Sequence, residues 1–196
     1  MAAANALLGT EVEQENGSLY DSFSGEAGKM VFSRGGEFNA SLTGEEAVGE
    51  DLSKEALKLL KEIGFNPWEQ TEVARLSVGV YQVTAYQKVF GVRSYSAQVR
   101  LTYENYILTT IEGVWFTATP SRVGDTACIS GETALVAFLN SQERIGWLCN
   151  NIVSVEQSYV KTQTPSGATR LTPVWEIQTD TGRYEVNGIT CAVQSA

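Results

Sequence analysis

Residues 173–193, PVWEIQTDTGRYEVNGITCAV, are the stretch that most constrains how this chain can fold. Apolar and polar residues alternate up to Asp180-Thr181-Gly182 and alternate again afterwards. Successive side chains of a strand point to opposite faces, so a period of two predicts a half-buried hairpin. Asp-Thr-Gly supplies the turn chemistry. Val174, Glu176 and Gln178 then share one face, and Trp175, Ile177 and Thr179 the other. After the turn, Tyr184 and Val186 share a face. The expected core-facing set is Trp175, Ile177, Tyr184 and Val186. Glu176 and Glu185 are placed to face each other across the hairpin. Like charges opposite one another cost free energy unless solvated or bridged, so a solvated outer face is expected there.

A hairpin with one apolar face needs something to pack on it, and the preceding sequence offers helices. LSKEALKLLKEIGF, residues 52–65, is the clearest, with Ser53 as a candidate N-cap and Leu52 and Leu57 at hydrophobic-staple spacing. Ala56, Leu57, Leu60 and Ile63 form its expected stripe. Gly64 and Phe65 provide a stop that folds back, and Pro67 forbids continuation. A second helix, GETALVAFLNS at residues 131–141, follows a capping Ser130 and carries Leu135, Phe138 and Leu139. QERIGWLCNN after it reads as either a further helical turn or a loop. Strands are expected at 29–33 and 37–42 around an Arg-Gly-Gly turn, along the alternating run 72–91, and at 92–103, 107–120 and 152–164.

The order of elements repeats. EALKLL (55–60) and TALVAF (133–138) align with an offset of 78, which also carries Tyr81 onto Tyr159. Phe90 and Trp175 each follow a valine at the start of a hairpin. This order predicts an α+β protein of two tandem related halves, each an antiparallel β-sheet packed against an α-helix. Residues 1–27 are expected as a lead-in, 28–120 as the first half and 121–196 as the second.

Chemistry is harder to place. The chain of 196 residues contains no histidine, which removes the commonest general base and metal ligand. A Ser–His–Asp or Cys–His arrangement cannot be built. Cys128, Cys149 and Cys191 have no C-x-x-C spacing and are expected as buried thiols, or as one disulfide with a spare thiol. A net charge of −9 disfavours nucleic acid and anionic lipid as partners. The acidic pairs Glu45 with Glu46, Glu50 with Asp51, and Glu176 with Glu185 are candidates for two-carboxylate chemistry, for which a solvated surface is the simpler reading. GEEAVGED (44–51) could offer oxygens to a hard cation but lacks EF-hand spacing. Tyr81, Tyr86, Tyr95, Tyr103, Tyr106, Trp115 and Phe116 could line a ligand groove, although the favoured reading is that most line the core or cover the sheet. Sheet edges are the better candidates for contact with a partner. No catalytic, cofactor-binding or metal-ligating residue is assigned, no cofactor is implied, and the partner-binding residues are left open. The start, MAAANALLGTEVEQENG, has no basic region ahead of its apolar patch and is not an intact signal peptide, and no run of about 18 apolar residues occurs.

LTPVWEIQTDTGRYEVNGITCAV, preceded by a helix and by IVSVEQSYV, resembles the C-terminal part of YycI/YycH-type regulatory proteins and the related PepSY-like modules. Pro173, Trp175, Ile177, Tyr184, Val186, Asn187 and Thr190 match the pattern. GKMVFSRGGEF, the EALKLLKEIGF helix and the 80–113 meander extend the resemblance over most of 28–194. Cys191 departs from it, standing where the pattern has a turn glycine. The resemblance implies a non-enzymatic extracytoplasmic module of Gram-positive bacteria. Such a module binds and modulates a membrane sensor histidine kinase or a sister regulator. It is anchored by an N-terminal helix that this sequence does not carry. A PepSY-like protease-inhibitory module and a small-ligand-binding domain are the alternatives.

Overall fold

The computed structural model describes residues 2–33, 35–44, 47–117, 121, 123, 127–163 and 169–196. The chain divides into two compact units, one of residues 1–90 and 97–119, the other of 91–96 and 120–196. It is a mixed α/β protein built on two antiparallel sheets.

The first unit opens with α1 (Ala2–Leu8), β1 (Glu13–Asn16), β2 (Tyr20–Gly25), β3 (Gly28–Ser33) and β4 (Glu37–Leu42). Then come α2 (Leu52–Glu62), β5 (Pro67–Ser77), β6 (Val80–Val89), β7 (Val92–Glu104) and β8 (Ile107–Val114). The eight strands run in the order β1-β2-β3-β4-β8-β7-β6-β5. Strand alternation aims Phe38 and Ala40 of β4, and Val99, Leu101 and Tyr103 of β7, into one core. Trp115 closes it with edge-on contacts to Phe32, Phe38 and Phe65, at centroid separations of 6.2, 6.0 and 6.0 Å.

The α2 helix lays Leu52, Ala56, Leu60 and Ile63 into this core. Leu59 packs against the core, whereas Leu57, expected in the stripe, lies on the opposite side beside Lys54, Lys58 and Lys61. The cap is Asp51, whose carboxylate accepts from the Lys54 amide at 3.1 Å, and not Ser53. Ser53 instead accepts a hydrogen bond from the Thr71 hydroxyl at 2.9 Å. The expected stop is present. Gly64 has φ 88°, its amide bonds Lys61 O, and the Phe65 amide bonds Leu60 O at 2.8 Å. That pair of bonds is the Schellman arrangement, with Phe65 folded back into the core. The run 72–91 is not one strand: a turn at Val78-Gly79, with Gly79 at φ 74°, divides β5 from β6.

In the second unit, α3 (Gly131–Leu139) and α4 (Gln142–Ile145) precede β9 (Ile152–Gln163), β10 (Thr169–Thr179), β11 (Arg183–Asn187) and β12 (Val193–Ser195). The strands run β12-β11-β10-β9. Ser130 caps α3 by accepting from the Thr133 amide. Ala134 and Phe138 are its buried residues, while Leu139 is 48% exposed, so the stripe is displaced from the expected one. QERI forms the extra turn. Gly146 ends it in the left-handed region, and Trp147 turns back to stack on Phe138 at 4.5 Å. Trp175 pairs with Val186 and Ile177 with Tyr184, and all four pack with the helices. The expected inner face of the final hairpin is therefore present.

Both units thus contain a helix followed by four antiparallel strands in meander order, α2-β5-β6-β7-β8 and α3-α4-β9-β10-β11-β12. The helices keep the offset of 78, but the strands do not. Tyr81 lies on β6 and Tyr159 on β9, and Phe90 sits in a turn while Trp175 is in mid-strand. The units also differ in that β1–β4 widen the first sheet beyond its meander.

Candidate functional site

The aromatic residues considered for a groove are dispersed. Tyr86, Tyr103 and Trp115 are buried, and Phe116 uses its backbone to bond both ends of the Gln87 amide at 2.9 Å. Tyr81 and Tyr106 meet as a ring pair, at 5.6 Å. Burial, followed by the nearby Glu55 carboxylate, raises the Tyr103 hydroxyl well above the usual tyrosine range. A shallow groove of about 520 Å³ runs along the outer side of α2 and is lined by Asp51, Ser53, Lys54, Leu57, Lys58 and Lys61.

Among the described residues the sheets end on β1, β5, β9 and β12. A free strand edge exposes unpaired backbone groups that invite another chain, and folded proteins blunt it with charge, shortness or cover. β1 is the fully exposed sequence Glu-Gln-Glu-Asn. β12 has three residues. β9 carries residues 91–96: the Tyr95 amide donates to Ser158 Oγ (3.3 Å), Ser94 Oγ to Tyr159 O (3.3 Å), and the Lys161 amide to Ser96 Oγ (3.1 Å). β5 has eleven residues, pairs with β6 alone among the described residues and has an exposed distal half, although it too carries charge in Glu69, Glu72 and Arg75 and shifts register against β6. Val73, Leu76 and the adjoining Val78 are 50%, 56% and 88% exposed. Glu69 and Lys88 form an ion pair near its start.

Of the acidic pairs, Glu45 and Glu46 lie outside the described residues, and with them most of the GEEAVGED loop. Asp51 is spent on the α2 cap. Glu176 and Glu185 do face each other, as expected, but the expected solvated face is overturned. Glu176 is 3% exposed, on the face of the four-stranded sheet opposite the helices. Burial pushes its carboxyl up to about 7. The Arg183 charge opposes that shift, Glu185 adds to it, Arg93 opposes it and Glu156 adds to it. The sequence signal for this burial was faint: Glu156, Glu176 and Glu185 come into one row only once the register of three strands is fixed. Among the described residues, no group of three acidic or cysteine side chains is arranged to hold a metal ion.

The cysteines are half-buried free thiols. Cys191 occupies a left-handed turn at φ 59°, so the backbone keeps a conformation suited to glycine. Among the described residues, no helix is long and apolar enough to cross a membrane.

No family profile matches the chain, and no curated protein matches it. Solved structures do. An uncharacterised protein from Eubacterium rectale ATCC 33656 superposes with a TM-score of 0.61 at 8% identity, over 99% of this chain and 80% of that one. The C-terminal domain of YpeB from Bacillus megaterium superposes with a TM-score of 0.51 at 13% identity, over 98% of this chain and 94% of that one. Identities this low make the likeness one of fold alone.

Proposed function

We propose that this chain is a non-catalytic regulatory module of the YycI/YycH type. It acts at the extracytoplasmic face of the membrane by binding a sensor histidine kinase or that kinase's partner regulator. The observation that carries the reading is the eleven-residue β5 edge, whose distal half exposes Val73 and Leu76. An extended segment of the partner adds to β5 as a further strand: backbone hydrogen bonds supply affinity, and Val73 and Leu76 supply apolar contact. Such a module shifts the kinase only by the difference in its affinity for the kinase's two signalling states. The likeness of fold to the YpeB C-terminal domain supports the same reading.

The test is a photo-crosslinker placed at Leu76 of the full chain, presented to membranes of the source organism and read by mass spectrometry. Enrichment of a sensor kinase or sister regulator supports the proposal. Val73→Lys and Leu76→Lys should then weaken binding of the purified partner by roughly tenfold or more while leaving the melting temperature unchanged, because both residues are exposed. Recovery of a peptidase would transfer the reading to PepSY-like inhibition. No enrichment over an unrelated acidic protein overturns the β5 contact.

A further inference from the structure

Three glutamates form one row across the second unit's sheet. Glu156 on β9 pairs in register with Glu176 on β10, and Glu176 pairs with Glu185 on β11. Gln194 on β12 continues the row. Directly opposed residues on adjacent antiparallel strands hold their Cβ atoms about 5 Å apart, so the carboxylates are immediate neighbours. The outer two are provided for. Arg93 Nη2 donates to Glu156 Oε2 at 2.5 Å, and Gln194 Nε2 donates to Glu185 Oε2 at 2.8 Å. The middle one is not. Glu176 is buried, and its Oε2 has no hydrogen-bond partner among the described residues.

Residues 91–96, the turn into β7 and the start of that strand, lie over this face. They are tied to β9 through Ser158, Tyr159 and Lys161. The Tyr95 ring meets the Arg93 guanidinium at 4.4 Å and the Arg183 guanidinium at 5.0 Å, and Arg93 also donates to the Tyr95 hydroxyl. Tyr95 is bonded at its backbone to β9 and touches Arg183 of β11, so it reaches across β10, the strand that carries Glu176. The charged groups facing Glu176 are therefore Glu156 from β9, Arg183 and Glu185 from β11, and Arg93 from the covering segment.

We propose that the glutamate row and its cover form a proton-controlled latch: while the row holds one proton, residues 91–96 stay docked on β9, and loss of that proton to solvent loosens them. With Glu176 neutral, its buried carboxyl has no charge to solvate. Once ionised, Glu176 is a buried carboxylate with an oxygen that no donor among the described residues reaches. A buried charge in that state needs water or a new partner. Arg93 is engaged with Glu156, and Arg183 lies against Tyr95. Water is left as the source of solvation, and it enters by lifting the segment that carries Tyr95. Burial places the release of the Glu176 proton near neutrality, at about 7.

The test follows hydrogen exchange and carboxyl titration in the full chain by NMR. Protection factors for the Tyr95 and Lys161 amides, corrected for intrinsic exchange, are compared at about pH 6 and about pH 8 with those of a core amide such as Ile177. The expected result is at least a roughly tenfold loss of protection at Tyr95 and Lys161, little change at Ile177, and abolition of the pH effect in Glu176→Gln, which stays neutral. If Glu176→Gln does not fold, the carboxyl carbon of Glu176 in the unaltered protein is titrated directly. A midpoint between about 6 and 8 that coincides with the loss of Tyr95 protection supports the latch. A midpoint below about 5.5, or protection at Tyr95 that does not change with pH, overturns it.

Discussion

Cys191 holds a backbone conformation that costs an L-residue free energy for no visible return at its half-exposed position. Its φ of 59° is left-handed, and its amide bonds Asn187 O at 3.0 Å to close the turn into β12. The left-handed region costs a residue with a Cβ about 1–2 kcal/mol, partly offset in a glycine variant by the greater freedom of the unfolded chain. Cys191→Gly should therefore stabilise the protein by about 0.5–1 kcal/mol, read as a rise in urea midpoint with unchanged slope. Gly28 is the converse case. It has φ 139°, and an added Cβ would lie 2.1 Å from the Ser41 carbonyl oxygen of the paired strand. Gly28→Ala should destabilise by more than about 1 kcal/mol in the same assay, because both torsion and contact oppose it. Only the first of these positions was legible in the sequence. The resemblance marks 191 as a glycine site, whereas nothing near Gly28 announces that a neighbouring strand passes so close.

At the scale of elements, sequence periodicity located the helices and misplaced their details. Asp51 and Ser53 are both acceptable caps, and the choice between them is made by Leu52, which is buried only if the helix begins at that residue. The i, i+4, i+8 series Leu52, Ala56, Leu60 then faces the core, turning Leu57 outward and Leu59 inward. Asp51→Ala should cost about 1 kcal/mol by removing the bond to the Lys54 amide. Ser53→Ala should cost less, since it breaks only a side-chain contact with Thr71. Urea melts of the two variants separate the roles, and a larger loss from Ser53→Ala would show the cap to be wrongly placed. The β5–β6 turn escaped detection because apolar alternation continues through Leu76, Val78 and Val80, so nothing but Gly79 breaks the pattern. The final hairpin was legible on one face only. Its apolar side reads directly from Trp175 and Ile177, while the charges around the buried Glu176 include Arg93, some eighty positions earlier in the chain.

Across the whole molecule, the repeated helix-and-meander order was visible in the sequence, and the charge balance sets how stability responds to pH. Glu69, held by the Lys88 ammonium, and Glu132, held by the Ser130 hydroxyl, have carboxyls below their ordinary value. Their contributions are present above that value and are lost as pH falls through the lowered ones. Glu176 acts with the opposite sign. Its carboxyl is raised from 4.5 to about 7, so the folded state holds a proton that the unfolded chain releases. Its contribution is complete below 4.5 and declines as pH rises through about 7. Stability should therefore peak on the acid side of neutrality, near the ordinary carboxylate range, and fall by at most roughly 3 kcal/mol, or about 6–12 °C in melting temperature, by pH 8. A net charge of −9 drives the same trend through self-repulsion as carboxylates ionise. Salt separates the two causes. At about 0.5 M ionic strength the screening length is roughly 4 Å, which suppresses repulsion between surface charges but reaches a buried carboxyl poorly. The decline between about pH 5 and 8 should survive in high salt and flatten in Glu176→Gln. A slope that vanishes with salt alone would assign the trend to surface charge and remove Glu176 as its source.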